Sequence, residues 1–401
     1  MVNIAVLGYG TVGSGVVEVI TQNQSSINKK AGKDINIKYV LDLRDFPGDP
    51  VEKVLVHDYN VILNDPEVKI VVEVMGGINP AYGFVKSALE SGKSVATSNK
   101  ELVAAHGAEL LKIAKTNNVN FFFEASVGGG IPIIRPLNEC LTADVITEVT
   151  GILNGTTNYI LTKMTDEGSD FDSVLKQAQE MGYAERNPEA DIEGYDACRK
   201  IAILTSLVCG KQVDYEDIHT EGITKITDKD IKCAKALGGS IKLLGSTKWI
   251  DGKIYSIVAP FVIGKEHPLG NVNDVFNGIY VNGNMLGDAM FYGRGAGKLP
   301  TASAVVADVV AAARNESNVE TIWEEEKVVL SDRAGFECKF LARVGSSVSK
   351  TDIENAFGKV SYIEAEGLEG ETAFLTGMIS EGEFEEKAKS LDIIYGLRTA
   401  L

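Results

Sequence analysis

Cysteine is scarce and scattered. The chain has five, Cys140, Cys198, Cys209, Cys233 and Cys338, an odd number with no CxxC pair. That argues against a disulfide framework or a structural zinc site and fits a reducing cytoplasm. Histidine is scarcer still: His57, His106, His219 and His267, none in a recognisable pairing with a cysteine. Thioester chemistry, which needs a nucleophilic thiol beside a base, therefore lacks its parts. Basic charge is short as well, 39 Lys and Arg against 56 Asp and Glu, for a net charge of −17. Such a surface repels phosphate backbones and anionic membranes, so no nucleic-acid partner is expected. The densest basic cluster, Lys29, Lys30 and Lys33, reads as a solvated loop. No apolar run reaches the roughly 18 residues of a membrane span. The opening MVNIAVLGYG has neither a basic n-region nor a cleavage site, so no secretory signal is expected. What remains, 401 residues, 44% hydrophobic and 24% charged, is ordinary for a globular protein of two or three domains.

The first 130 residues alternate strand and helix patterns, which predicts a doubly wound parallel sheet. VNIAVLGYGTVGSGVVEVI reads as a buried strand, a glycine turn and a helix. Gly8, Gly10 and Gly13 form GxGxxG in the context that motif requires. The first glycine permits the turn, the second lets backbone approach a pyrophosphate, and the third lets helix pack on strand. The helix start, at Thr11 and Val12, offers N–H groups and the positive dipole end to the phosphates. Asp42 ends the second strand, where an acid holds ribose hydroxyls; the polar stretch QNQSSINKKAGKD accounts for its late arrival. Arg44 follows and suits a 2′-phosphate. Asp42 favours NAD and Arg44 favours NADP, so both stay open, as does a plain solvated loop at Arg44 and Asp45. Thr97, Asn99, Lys100 and Glu124 fall at carboxyl ends of later strands, where ligands of such sheets bind. A lysine opening a helix is electrostatically disfavoured, so Lys100 asks for a local reason.

A second pattern starts near Ile133. DVITEVTGILNGTTNYIL reads as a strand, a turn and a helix capped by Thr156 or Thr157. DFDSVLKQAQEMG is a helix stopped by Gly182. GYAERNPEADIEGYDACRK then crowds Glu185, Glu189, Asp191, Glu193 and Asp196 against Lys200, just before the apolar IAILTSLVC. From about Tyr195 this is a helix, so Asp196 and Lys200, four apart, share a face with Leu204 and Leu207. The bland alternative is a surface ion pair worth tenths of a kcal/mol. The functional one is an acid/base lysine that takes a hydroxyl proton as hydride leaves, beside carboxylates that grip a substrate ammonium. The last 70 residues read βαββαβ, a split β-α-β unit of ferredoxin type, after an acidic linker, ESNVETIWEEE.

Gly182, Tyr183, Glu185, Pro188, Asp191, Gly194, Asp196 and Lys200 resemble the signature of homoserine dehydrogenase. Asn187 replaces the family's usual aspartate before the proline. VVEVMGG, TSNKELVAAHG, EASVGGGIPII, GILNGTTNYIL and GRGAGKLPTASAVVAD also look like the family's segments, in its order, from about Val2 to Arg314. The resemblance implies NAD(P)-dependent interconversion of L-homoserine and L-aspartate 4-semialdehyde in threonine and methionine biosynthesis, in the cytoplasm. Lys200 would be the acid/base, with Asp196; Glu185, Asp191, Thr156, Lys100 and Tyr183 would meet substrate. Gly8, Gly10, Thr11, Val12, Gly13, Asp42, Arg44, Thr97, Lys100, Gly182 and Gly297 would hold NADP or NAD. Glu124, with Val127, Gly129 and Ile131, would hold a monovalent cation such as Na+. The implied domains are 1–132 with 300–316 for the dinucleotide, 133–299 for catalysis and oligomerisation, and 330–401 as an ACT-like module sensing threonine or only pairing subunits. A homodimer or homotetramer is implied. The rival readings are a semialdehyde dehydrogenase, which the cysteines do not support, and a cofactor-binding sensor, which the intact Glu185, Asp196 and Lys200 speak against. A fused aspartate kinase does not fit the length.

Overall fold

The opening VNIAVL forms β1 (Val2–Leu7), with Ile4, Ala5, Val6 and Leu7 fully buried. Burial on both faces is what a central parallel strand requires. There follow α1 (Thr11–Ala31), β2 (Ile35–Leu41), β3 (Leu55–Val56), α2 (Tyr59–Leu63), β4 (Val68–Glu73), α3 (Ala81–Glu90), β5 (Ser94–Thr97), α4 (Lys100–Thr116) and β6 (Phe121–Phe122). The computed structural model describes residues 1–314 and 321–401, so the linker stretch Glu316–Glu320 lies outside the described residues. These strands form a parallel sheet in the order β3-β2-β1-β4-β5-β6. The order reverses between β1 and β4, which is the point where open α/β sheets bind ligands.

Two sequence expectations are corrected here. The polar stretch QNQSSINKKAGKD is not an insert between helix and strand; as far as Ala31 it is the second half of α1, a 21-residue helix with one non-helical residue at Asn23. Lys29 and Lys30 accordingly lie in the last helical turn, not in a loop. Cations there complement the negative end of the helix dipole, which a reading by polarity alone overlooks.

The chain continues with β7 (Ile146–Ile152), α5 (Gly155–Glu167), α6 (Phe171–Glu180), α7 (Glu189–Ile192), α8 (Tyr195–Cys209), β8 (Lys211–Gln212), β9 (His219–Thr220), α9 (Asp228–Ala236), β10 (Gly239–Ile250), β11 (Lys253–Gly264), β12 (Phe276–Gly283) and β13 (Gly287–Arg294). Next come α10 (Lys298–Arg314), β14 (Glu324–Lys327), β15 (Glu337–Gly345), α11 (Lys350–Phe357), β16 (Ser361–Ile363), β17 (Glu371–Leu375), β18 (Ile379–Ser380), α12 (Glu381–Ser390) and β19 (Tyr395–Ala400). The chain divides into two units. One is Met1–Val145, Ala202–Tyr215 and Gly293–Val328; the other is Ile146–Ile201, Glu216–Tyr292 and Val329–Leu401.

In the first unit, α10 packs on α1. A Cβ at Gly15 would stand 2.7 Å from the Lys298 carbonyl, so only glycine permits this approach. Val16, Ile20, Ala302, Val305 and Val309 share the resulting core. The second unit is built on a mixed sheet in the order β13-β12-β7-β10-β11-β19-β15-β17-β16, with β9 beside β11 and β18 beside β15. The β10–β11 hairpin is its longest ladder, pairing Gly239 with Gly264 through to Ile250 with Lys253. The C-terminal strands therefore do not stand apart: β19 lies parallel to β11, with Phe261 opposite Arg398. No helix among the described residues is long and apolar enough to cross a membrane.

Candidate active site

The glycine turn has the geometry its spacing predicts. Gly8 takes φ +96°, and a Cβ at Gly13 would stand 1.9 Å from the Gly8 carbonyl oxygen. A Cβ at Gly10, by contrast, would meet nothing within 4 Å. Gly10 precedes α1, whose start (Thr11, Val12) carries no side-chain cap and no acid in the first turn. Uncapped N–H groups opening onto clear space are what a pyrophosphate needs, so the turn fits a dinucleotide.

At the end of β2 the Asp42 carboxylate is fully committed. Oδ1 accepts from the Arg44 backbone N–H (3.0 Å) and Nε (2.9 Å); Oδ2 accepts from the Tyr9 N–H (2.8 Å) and Arg44 Nη2 (3.0 Å). Four bonds use all the lone-pair sites of a carboxylate. The Arg44 side chain holds the Asp42 carboxyl well below the usual carboxylate range. Arg44 itself remains 62% exposed.

Beyond β4 and β5, Glu73 is wholly buried, and that burial raises its carboxyl's pKa. It accepts from the N–H groups of Met75 (2.8 Å) and Gly76 (3.3 Å) and from the Thr97 hydroxyl (2.6 Å). Thr97 in turn accepts from the Asn99 N–H (3.0 Å), and Asn99 donates to the Gly77 carbonyl (2.6 Å) and caps α4 at Leu102. This network ties together the loops after β4 and β5. Lys100 is the first residue of α4, at the positive end of its dipole.

Glu124 is buried, and its carboxylate turns to the following chain. Oε1 accepts from the N–H groups of Ile133 (2.6 Å) and Ile134 (2.8 Å), and Oε2 from that of Arg135 (2.9 Å). The Arg135 guanidinium also lies against Oε2, with Nε at 3.6 Å. Among the described residues no group of three or more His, Cys, Asp or Glu is placed to hold a metal. Gly129 takes φ +54°, and a Cβ there would run into the Gly295 carbonyl at 2.5 Å. Gly297, with φ +122°, comes just before α10 and accepts from the Thr301 N–H.

The second unit brings the acid-rich stretch to one point. Lys200 and Asp196 lie on α8 and are 8% and 4% exposed, so this is no surface pair. Lys200 Nζ donates to Asp196 Oδ2 (2.6 Å) and to the Leu153 carbonyl (2.7 Å). Leu204 and Leu207, further along α8, are buried as their spacing predicts. Asn154 donates from Nδ2 to Asp191 (2.7 Å) and to Asp196 (2.9 Å), and its Oδ1 accepts from the Thr157 N–H. Asn154 is therefore the cap of α5, and the expectation of Thr156 or Thr157 is corrected. Asparagine ranks above threonine as an N-cap, and its amide has a second group free to bridge two carboxylates. Thr156 instead donates its hydroxyl to the Tyr183 carbonyl at 2.7 Å. Tyr183 and Glu185 are exposed in the loop after α6, next to Gly182 at φ +73°. Asn154 and the Leu153 carbonyl are the pieces a search for acids and lysines passes over. The asparagine directly before GTT, a cap position, was the available signal.

A pyrophosphate-ready glycine turn at a parallel switch point, in a chain that also buries an aspartate-paired lysine, defines an NAD(P)-dependent oxidoreductase. Comparison with known proteins names the family. The homoserine dehydrogenase family model matches residues 132–310, and that of the homoserine dehydrogenase NAD-binding domain matches residues 8–124. The homoserine dehydrogenase of Bacillus subtilis is 46% identical over 321 residues, covering 78% of this chain and 73% of that protein. The crystal structure of a homoserine dehydrogenase from Thiobacillus denitrificans superposes with a TM-score of 0.89 at 33% identity, over 99% of this chain and 98% of that one. A hyperthermophilic archaeal homoserine dehydrogenase mutant, solved in complex with NADPH, matches with a TM-score of 0.66 at 30% identity, over 78% of this chain and 97% of that one. The chain belongs to the homoserine dehydrogenase family.

Proposed function

We propose that the chain interconverts L-homoserine and L-aspartate 4-semialdehyde, with Lys200 as the acid/base. The buried Lys200–Asp196 pair carries this reading, because its Nζ is pinned by two acceptors at the head of a buried helix. The nicotinamide, when bound, supplies hydride acceptance and return. Lys200 takes the hydroxyl proton in oxidation, directly or through a water, and gives it back in reduction. Asp196 orients the lysine. Glu185 and Asp191 attract the substrate ammonium, and Thr156, Tyr183 and Lys100 complete its surroundings. Gly8, Gly10, Thr11, Val12 and Gly13 would cradle the pyrophosphate, with Thr97, Lys100, Gly182 and Gly297 along the dinucleotide.

NADP is the better fit of the two cofactors. Asp42 has no acceptor left for ribose hydroxyls, while Arg44 stands braced and exposed for a 2′-phosphate. A monovalent cation would be held by the carbonyls of Val127, Gly129 and Ile131 with the Glu124 carboxylate. Hard oxygen donors suit sodium.

The finer division is part of the same proposal: 1–132 with 300–316, 133–299 and 330–401, the last an ACT-like regulatory module in a cytoplasmic homodimer or homotetramer. The tail strands run β19-β15-β17-β16, which is the 4-1-3-2 order of a split β-α-β unit. Threonine is the proposed effector, and inhibition by threonine that persists without residues 330–401 would sink that part.

The deciding assay is nicotinamide reduction with L-homoserine, using NAD and NADP in parallel, for wild type and Lys200→Ala. The expected result is a fall in kcat of about 10²–10⁴ in the variant with nucleotide affinity unchanged. Undiminished turnover would reduce Lys200 to a positioning group.

A further inference from the structure

The segment that carries Asp191, α7 and the turn after it, is braced from outside as well as by Asn154. At its end Gly194 takes φ +85°, and a Cβ there would press on Thr220 and Val258, each at 3.1 Å. Just beyond β9, a Cβ at Gly222 would stand 2.2 Å from the Ile192 carbonyl oxygen and 2.6 Å from Glu193 Cα. Ile223 N–H donates to that same carbonyl (2.8 Å), and the Thr224 hydroxyl donates to Glu193 Oε1 (3.1 Å). Residues 219–224 therefore form a strap lying directly on residues 192–194, and two glycines let the backbones meet. The strap is itself anchored as β9 on β11 and through the Glu221 N–H to the Val258 carbonyl (2.7 Å).

Its one carboxylate is gripped from the tail. Arg398, on β19 and 5% exposed, donates from Nη1 and Nη2 to the two oxygens of Glu221 at 3.0 and 2.8 Å. The same guanidinium donates to both oxygens of Glu381, at the start of α12 and 1% exposed, which also accepts from Arg333. His219 Nε2 lies 2.7 Å from Glu221 Oε1. Burial works to raise the Glu221 carboxyl, yet His219 and Arg398 together hold it well below the usual carboxylate range. A planar guanidinium bound by two carboxylates is a rigid joint, because its donors match both forks at once.

We infer that Arg398 and Glu221 are positioning residues for the substrate loop: through the strap 219–224, the C-terminal module sets the placement of Asp191 and hence the affinity for the amino-acid substrate. The inference rests on the reading of residues 182–200 as the substrate site. It assigns a role in the basic reaction to a region otherwise proposed only for regulation. The effect should fall on substrate binding, because Lys200 Nζ is held by Asp196 on its own helix and by the Leu153 carbonyl.

The test is steady-state kinetics on the full-length chain for Glu221→Gln, Arg398→Met, Arg398→Lys and Asp191→Asn. Glu221→Gln and Arg398→Met should raise the KM for homoserine about tenfold, with kcat within about twofold and the KM for NADP unchanged. Arg398→Lys should recover part of the loss, and the Glu221→Gln, Arg398→Met pair should be no worse than the worse single change. A homoserine KM that does not move in folded Glu221→Gln overturns the inference, as does a parallel fall in kcat and in affinity for both substrates. Should Arg398→Met fail to fold, the half-buried Glu221→Gln decides alone. An Asp191→Asn variant with unchanged homoserine KM removes the site reading and this inference with it. A raised KM there with no effect at Glu221 removes only the inference.

Discussion

Asn154 shows how much one side chain can organise. Its Oδ1 caps α5 while its Nδ2 bridges Asp191 and Asp196. One amide nitrogen thus ties the two carboxylates to the start of α5. Asn154→Ala should cost about 1 kcal/mol of stability from the lost cap. It should also raise the KM for homoserine, because Asp191 loses its tether. Chemical denaturation and steady-state kinetics on the same preparation would check both; a stability loss with an unchanged KM would confine Asn154 to capping. The acids and Lys200 could be picked out by residue type and spacing. The cap at Asn154 is legible before GTT, but its bridge is not, because that depends on two partners 37 and 42 residues away.

At the scale of elements, α5 and β10 share a buried charge. Lys242 is 1% exposed on β10, and its ammonium donates to Asn158 Oδ1 of α5 (3.1 Å), the Val272 carbonyl (2.6 Å) and Asn273 Oδ1 (2.9 Å). Burial lowers its pKa to about 8, against the opposing pull of Asp166 and Asp274. A lysine with a folded-state pKa below its unfolded one binds fewer protons folded than unfolded between pH 8 and 10.5. Stability linked to it therefore rises with pH across that window, by about 3 kcal/mol in all, and is flat below it. Lys242→Met should abolish this rise, as unfolding free energies measured from pH 7 to 10.5 would show. A parallel pH dependence in both proteins would contradict it. Helices and strands themselves are legible from their periods: β1, β7 and α6 fall where the pattern places them. The second half of α1 was misread because a solvated polar helix and a polar loop share a composition.

For the whole molecule, the chain passes from one unit to the other after residues 145, 201, 215, 292 and 328. One of these passages lies inside α8, so neither unit can unfold without cutting a helix. Unfolding should be one cooperative step, and NADP at 100 times its Kd should move all of it by about 2.7 kcal/mol. Calorimetry with and without nucleotide would check this; a nucleotide effect on only part of a two-step melt would show independent units.

Residue order by itself determined the dinucleotide turn, the parallel sheet and the Asp196–Lys200 face, because each arises from contacts a few residues apart. Strand-helix periods and glycine spacing are local, and local physics suffices to read them. Tertiary structure alone decided three things. Asp42 takes its last bond from Tyr9, 33 residues back, Glu124 turns its carboxylate to the amides of residues 133–135, and Arg398 reaches back 177 residues to Glu221. Each depends on which backbone and side-chain donors meet a carboxylate after the sheets have assembled. No spacing in the chain encodes that meeting, because it is set by strand order: β19 lies beside β11, and β11 lies beside β9.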